Sequence, residues 1–556
     1  MLKKKINLLL LLLISFIGLT SCVDTPPTSQ KKQLDAPIIE LTEDETSITW
    51  NSISHATHYE IYINEDFICE ITKTFYTLEI LYKDYDIKIK ACDDTNGYIN
   101  SAFSNVLTVE YTNTEIPPVI QPKNLQANFM MINDTHGAFI DEGTPGLERV
   151  AGLLDSLTLN GDEYIKIANG DIFQGSYVSN IYYGQAMVEV LNELDFDAFV
   201  LGNHEFDWGL DKIKNYKDGN LANGELECPI LGANVVYKNT SKIVDFLEPY
   251  HIVEVDGLKV GIIGLMGYGL ESSILTEYVT GYKFLHPTEI VKKYSTILRT
   301  EMQCDIVVAS IHDYDENVNE EIASITGAGR VDAIFCGHTH QRILTSVTRT
   351  DGVKIPVIQN YSQNGTAAVV KIKITESGDF DNYEAKHYYP NDYNKSSSLS
   401  SIVNKYQSDI NEGNRVLGAA QYYLSKQTIG QLTTNAMKNK FNADIAIMNT
   451  GGVRGTIDYG NITVSMIYNV FPFNNVIYTV NLPGSKVISL YNNNASFLYF
   501  NSDFDINDIS SGKTYSIAVI DYVFTSPYYS EFKNVQYTNT SILMRDIFVE
   551  FIEDNF

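Results

Sequence analysis

Five stretches between residues 125 and 385 each close an apolar run with a set of Asp, Asn and His. QANFMMI runs into Asn133-Asp134-Thr135-His136-Gly137, YIKIA into Asn169-Gly170-Asp171, and DAFVL into Gly202-Asn203-His204-Glu205. Further on, DIVVASI delivers His312-Asp313 and DAIFC delivers Gly337-His338-Thr339-His340. Such side chains are costly to bury unless paired or bound to something. Singly, each has a plain explanation: Asp134 and Asp171 suit a turn or helix cap, Asn203 an ordinary turn, His312 a satisfied core histidine. Asp134, His136, Asp171, Asn203, His312, His338 and His340 together offer two carboxylates, an amide oxygen and four imidazoles. That N/O set suits Zn²⁺, Mn²⁺ or Fe²⁺ and lacks the thiolates of a structural zinc site. It exceeds the needs of one tetrahedral ion and matches two divalent metal ions sharing a carboxylate.

For these donors to meet, the apolar runs must be buried strands whose C-terminal ends share one sheet edge, where open α/β sheets gather their sites. Strand-like runs alternate with helix-like segments over 124–390, which predicts a layered α/β domain. The Ser-rich NKSSSLSS precedes Ile402, Val403, Tyr406 and Ile410 at helical spacing, so 391–415 is expected to be a linker helix. Residues 416–556 read as a second, mixed α/β domain. Upstream, residues 37–112 hold short alternating runs such as SITW, HYEIYIN and YDIKIKAC, which predict an all-β sandwich. TEIPPVIQPK makes 113–123 a linker.

The whole chain has 556 residues, 44% hydrophobic, 20% charged and 12% aromatic, a globular composition long enough for three or so domains. A net charge of −29 argues against partnership with a nucleic-acid polymer or an anionic membrane surface. Residues 1–22 read as a signal peptide: Lys3-Lys4-Lys5, then INLLLLLLISFIG, then Leu19-Thr20-Ser21-Cys22. Small residues before Cys22 suggest a lipobox and a lipid attachment at that cysteine, with 23–36 as a tether. This places the chain outside the cytoplasm, anchored to a bacterial cell membrane. Cys69 and Cys92 fall in one small domain, and whether they pair is left open.

The series D-x-H, G-D, G-N-H-E, H and G-H-x-H, in this order, resembles the calcineurin-like metallophosphoesterase superfamily. The C-terminal domain narrows the resemblance, over roughly residues 125–530, to the bacterial 5′-nucleotidase family. The resemblance implies a four-layer α+β metallophosphoesterase sandwich followed by a substrate domain. It implies that Asp134, His136, Asp171 and His340 hold one ion, and that Asp171 bridges to a second held with Asn203, His312 and His338. It also implies in-line attack on phosphorus by a metal-activated hydroxide. His204 resembles the family's catalytic histidine, and Asp207 would fix its tautomer. Trp50, Tyr59, Tyr62 and Tyr85 with DDTNGYINSAFSN resemble a fibronectin type III module, either a spacer or a binder of some surface ligand.

In the C-terminal domain, MNTGGVRG resembles the family's N-G-G-G-I-R loop, so Asn449 and Arg454 would meet phosphate or ribose. FPFNN places Phe473 as one face of an aromatic clamp, and Tyr522 in YSIAVIDYVF is the candidate for the other. Two features depart from the family. Thr525-Ser526-Pro527-Tyr528-Tyr529 stands where Gly-Gly-Asp is expected, and LSKQTIGQL offers Lys426 where an Arg is expected. The expected function is hydrolysis of a nucleoside 5′-monophosphate. The alternatives are a 2′,3′-cyclic-nucleotide phosphodiesterase or UDP-sugar pyrophosphatase on the same metals, and a non-catalytic surface adhesion lipoprotein.

Overall fold

The computed structural model describes residues 31–42, 47–78, 84–95, 97–109, 125–221 and 224–556. The signal segment, Cys22, most of the tether and the 113–123 linker lie outside these residues. The chain divides into two compact units, Met1–Val119 and Ile120–Phe556. Among the described residues no helix is long and apolar enough to cross a membrane.

In the first unit, the strand His58–Ile63 alternates strictly, sending Tyr59, Ile61 and Ile63 inward. It sits in a four-stranded antiparallel sheet between Asp66–Ile71 and Tyr85–Cys92, with Leu107–Val109 at the edge. A three-stranded sheet of Ile39–Leu41, Ser47–Trp50 and Phe75–Thr77 supplies Ile39, Ile48 and Trp50 to the same core. This is a β-sandwich. Cys69 lies opposite Ile61 on one side of His58–Ile63, and Cys92 lies opposite His58 on the other. No disulfide joins them. Strands two places apart are about 9–10 Å distant, beyond the reach of a disulfide.

The second unit begins with two six-stranded sheets. One runs Ile230–Leu231, Ala198–Val200, Ile165–Asn169, Gln126–Ile132, Ala367–Ile374 and Phe380–Tyr388. The other runs Tyr250–Val255, Leu258–Met266, Ile306–His312, Ala333–Cys336, Lys354–Gln359 and Ile343–Thr348. The sheets face each other, with Phe129, Met131 and Ile167 of one against Val260, Val308 and Phe335 of the other. Alternate residues Met130, Ile132 and Ala168 point the opposite way, onto Leu147–Thr158 and Gln185–Glu193. Ile263, Val307 and Ala309 do the same toward Pro287–Thr300 and Glu316–Ala323. Both faces of each central strand are thus buried, which explains the unbroken apolar runs. The result is a four-layer α/β sandwich.

The segment after the sandwich forms two short helices, Ser400–Lys405 and Gln407–Gly413, where one was expected. They break at Tyr406, whose hydroxyl donates to Glu189 Oε1 at 2.9 Å. Ile402, Tyr406 and Ile410 bury against the sandwich core. The C-terminal domain is a five-stranded mixed sheet, ordered Leu498–Phe500, Ile445–Asn449, Thr514–Ile520, Val476–Pro483 and Tyr537–Leu543. Lys426–Phe441 and Met544–Asn555 pack on it through Met437, Phe548 and Ile552. The two domains touch directly. Asn180 Nδ2 donates to the Pro472 carbonyl at 3.0 Å, and Tyr522 Oη donates to the Ser272 carbonyl at 3.2 Å.

Candidate metal centre and substrate cavity

The strands Gln126–Ile132, Ile165–Asn169, Ala198–Val200, Ile306–His312 and Ala333–Cys336 end at one edge of the sandwich. Just beyond them the chain turns sharply, with positive φ at Asp134, His136, Asp171, His338 and His340. Non-glycine residues take that conformation at a cost. Two glycines make room. A Cβ on Gly170 would strike the His312 ring, and one on Gly202 would strike the backbone and carboxylate of Asp171.

The donors gather in two groups that share one carboxylate. Ligand atoms of Asp134, His136, Asp171 and His340 lie within 4.8 Å of one another, as do those of Asp171, His312 and His338. Asn203 joins the second group through Oδ1, 2.8 Å from His338 Nδ1. Backbone carbonyls set the tautomers of two imidazoles. His136 Nδ1 donates to Gln174 O at 3.2 Å and His312 Nδ1 to Asn169 O at 2.8 Å. A carbonyl only accepts, so each neutral ring turns a bare Nε2 toward the shared space. His136 Nε2 and His340 Nε2 face each other at 2.9 Å. His312 Nε2 and Asp171 Oδ2 approach to 3.0 Å, yet both are buried atoms without a hydrogen-bond partner. Buried, aimed and unpartnered lone pairs of this kind fit divalent cations, so the residues present suit two metal ions. Burial alone would lower the His312 pKa, but in the absence of a cation the Asp171 carboxylate overrides it and pushes it up to about 10. The ring is therefore neutral with a bare Nε2 only when a cation replaces that proton.

His204 stands beside this set. Its Nδ1 lies 2.7 Å from Asp207 Oδ2, and its Nε2 is 3.9 Å from Asp171 Oδ2. Burial disfavours the imidazolium, but Asp171 and Asp207 together outweigh it and hold the ring above the usual histidine range. The ring stacks on Phe473 at 5.4 Å between centroids, which brings the C-terminal domain to the metal-ligating edge.

One residue of the strand-end motif went unassigned in the sequence. Glu205 is fully buried, and its carboxylate accepts four backbone N–H groups. Oε2 takes Gly202 at 2.7 Å and Asp171 at 2.9 Å, while Oε1 takes Ile172 at 2.9 Å and Phe173 at 3.2 Å. The clamp ties the loop bearing Asp171 to the loop bearing Asn203 and His204. The sequence carried only a weak signal for it, an acid four residues past an apolar run and beside His204, because its partners are backbone groups.

A cavity of about 690 Å³ opens over the donors, lined by Asp171, Asn203, His204 and His338 on one side and Asn449, Arg454, Phe473 and Tyr522 on the other. All four residues expected from the C-terminal domain therefore face the metal-ligating edge. Asn449 closes the strand Ile445–Asn449, and Arg454 follows the turn Thr450–Gly452 with its guanidinium 5.9 Å from the Phe473 centroid. Lys426 opens the helix Lys426–Phe441, where burial and the nearby Arg454 lower its pKa. Sequence reasoning missed Trp208, Tyr183 and Lys212 on the wall, and Arg545 behind it. Arg545 stacks on Tyr468 at 3.8 Å and donates to Phe471 O and Asn474 Oδ1, which shapes the loop that presents Phe473.

Comparison with known proteins agrees with this geometry. Residues 127–342 match the family model of the calcineurin-like phosphoesterases, and residues 407–497 match that of the 5′-nucleotidase C-terminal domain. The chain is a calcineurin-like phosphoesterase with a 5′-nucleotidase C-terminal domain. It is similar to the cell wall protein Lmo0130 of Listeria monocytogenes, 26% identical over 468 residues, covering 69% of this chain and 58% of that protein. A 5′-nucleotidase of Vibrio cholerae is 25% identical over 426 residues, covering 66% of this chain and 76% of that one. The chain thus spans less than two thirds of the Listeria relative. The crystal structure of a 5′-nucleotidase precursor from Thermus thermophilus shares the fold at TM-score 0.67 and 21% identity, covering 77% of this chain and 96% of that one.

Proposed function

We propose that this phosphoesterase hydrolyses nucleotides, taking a nucleoside 5′-monophosphate to nucleoside and phosphate at a dinuclear centre. The observation that carries the reading is the shared placement of Asp171 in two donor groups, at the floor of a cavity walled by Arg454 and Phe473. Asp134, His136, Asp171 and His340 would hold one ion, and Asp171, Asn203, His312 and His338 the other. Bound divalent ions supply positive charge for the phosphoryl oxygens and acidify water at neutral pH.

The chain's own side chains do the rest. Asp207 accepts from His204 Nδ1 and, with Asp171, favours the imidazolium, whose Nε2–H is then available to the oxygen that departs from phosphorus. Arg454 offers a planar fork of N–H donors to the remaining phosphate oxygens, and Asn449 lies beside it. Phe473, stacked on His204, offers its other face to a base, and Tyr522 is the second aromatic wall. Stacking reads every base similarly, which supports a broad nucleotide preference.

We place this activity outside the cytoplasm, with Cys22 as the lipid attachment and the β-sandwich of residues 37–112 as a spacer or ligand-binding module. The apolar segment ahead of Cys22 and the likeness to a protein named for the cell wall support this. The test of the activity is phosphate release by the full chain from AMP, UMP, ADP, UDP-glucose and 2′,3′-cyclic AMP. Release from AMP that His204→Ala abolishes supports the reading. Inert AMP beside cleaved cyclic AMP or UDP-glucose replaces it with a diesterase, and a metal-loaded chain inert on all five overturns it.

A further inference from the structure

The β-sandwich of the first unit carries donors that have no part in the cavity. His58, Glu60 and Tyr62 occupy the face of the strand His58–Ile63 opposite its core residues Tyr59, Ile61 and Ile63. The adjacent strand Tyr85–Cys92 runs antiparallel to it, with Cys92 paired to His58 and Lys90 to Glu60. Cross-strand partners share a face, so the thiol and the two side chains converge. Ligand atoms of His58, Glu60 and Cys92 all lie within 4.8 Å of one another.

The surroundings orient these donors. His58 Nδ1 is 3.2 Å from Asp94 Oδ2 and 3.1 Å from Thr57 Oγ1. A carboxylate on Nδ1 holds the proton there and leaves Nε2 bare, the arrangement found behind metal-binding histidines. Tyr62 Oη donates to Glu60 Oε2 at 2.8 Å, which fixes the carboxylate. Cys92 is 1% exposed although it lies on the outer face, while the His58 and Glu60 side chains are 12% and 19% exposed. An ion can therefore enter past the histidine and the glutamate. Among the described residues, the ammonium that approaches the glutamate is that of Lys90, at 3.8 Å, too far for a hydrogen bond and displaceable.

We propose that His58, Glu60 and Cys92 form a zinc site within the N-terminal β-sandwich, with Asp94 supporting the imidazole and solvent in the fourth position. On binding, the Cys92 S–H bond breaks, its proton leaves to solvent, and the thiolate sulfur bonds to the metal with no change in oxidation state. Burial and the nearby Glu60 push the free thiol up to about 12, so without a cation the sulfur stays protonated. One thiolate with one imidazole and one carboxylate selects Zn²⁺ over Mg²⁺, Ca²⁺ or Mn²⁺. The ion would staple the two central strands of the four-stranded sheet.

Co²⁺ in place of zinc tests this on the full chain, kept reduced by a phosphine. The cavity donors contain no sulfur, so a near-ultraviolet thiolate-to-cobalt charge-transfer band can arise only at a cysteine. The native chain is expected to show the band, and both Cys92→Ser and His58→Gln to lose it. Elemental analysis should find one zinc fewer per chain in Cys92→Ser, with phosphate release from AMP unchanged. Absence of the band in the native chain overturns the proposal. So does a band that survives in both variants, which would assign it to another cysteine.

Discussion

Adjacent residues do opposite work at the strand end Gly202-Asn203-His204-Glu205. His204 faces the cavity, while Glu205 faces the protein and clamps four backbone N–H groups. His204→Ala should therefore lower kcat by about 10²–10⁴-fold, the range of general acid catalysis, with bound metal unchanged by elemental analysis. Glu205→Gln should act through the ligands it positions, weakening metal affinity about 10–100-fold in a chelator competition. That these residues gather at one edge was legible in the sequence because five apolar runs each end in Asp, Asn or His, although each such residue alone has other uses. Glu205 was less so, since its partners are backbone groups that carry no letter. Arg545 was hidden altogether: it holds the Phe473 loop from a helix more than seventy residues downstream, and only the packed fold shows that.

Among elements, strands were easier to read than the joins between them. Two-faced burial turns each central strand into a continuous apolar run, a strong signal. The expected single helix over 391–415 is two, because the backbone at Tyr406 leaves helical geometry, with φ −96° and ψ 11°. The contact between the domains left no pattern either, being made by scattered single residues. Ser465 Oγ of the C-terminal domain donates to Glu142 Oε1 of the sandwich at 3.0 Å. Burial raises the Glu142 pKa despite that bond. A carboxyl raised in the folded state favours folding in acid, and this contribution is lost as pH climbs through the folded value. Glu142→Gln keeps an acceptor for Ser465 and removes the buried charge. Its Tm should match the native chain in acid and exceed it at neutral pH, followed by calorimetry across the carboxylate range.

At the scale of the molecule, a chain with a net charge of −29 concentrates further acid at its centre. Asp134 and Asp171 are completely buried within reach of one another's ligand partners. Cations bind the folded cage and not the unfolded chain, so they stabilise by mass action, about 2.7 kcal/mol per site at a hundredfold excess over Kd. Chelation should abolish phosphate release and lower Tm together, and added Zn²⁺ or Mn²⁺ should restore both. A Tm indifferent to chelator would mean that the cage does not hold ions tightly.

The left-handed backbone at Asp134, His136, Asp171, His338 and His340 has an evolutionary corollary. Each such residue costs about 1–2 kcal/mol that glycine would not. Idle, ion-free copies bear that burden without the cations that would offset most of it. Replacing His136 by glycine should therefore yield a chain that outlasts native apoprotein on heating while doing no chemistry. Lineages that abandon the reaction would find durability in the very positions they give up, so glycine spreading through these turns would be an early mark of a retired catalyst.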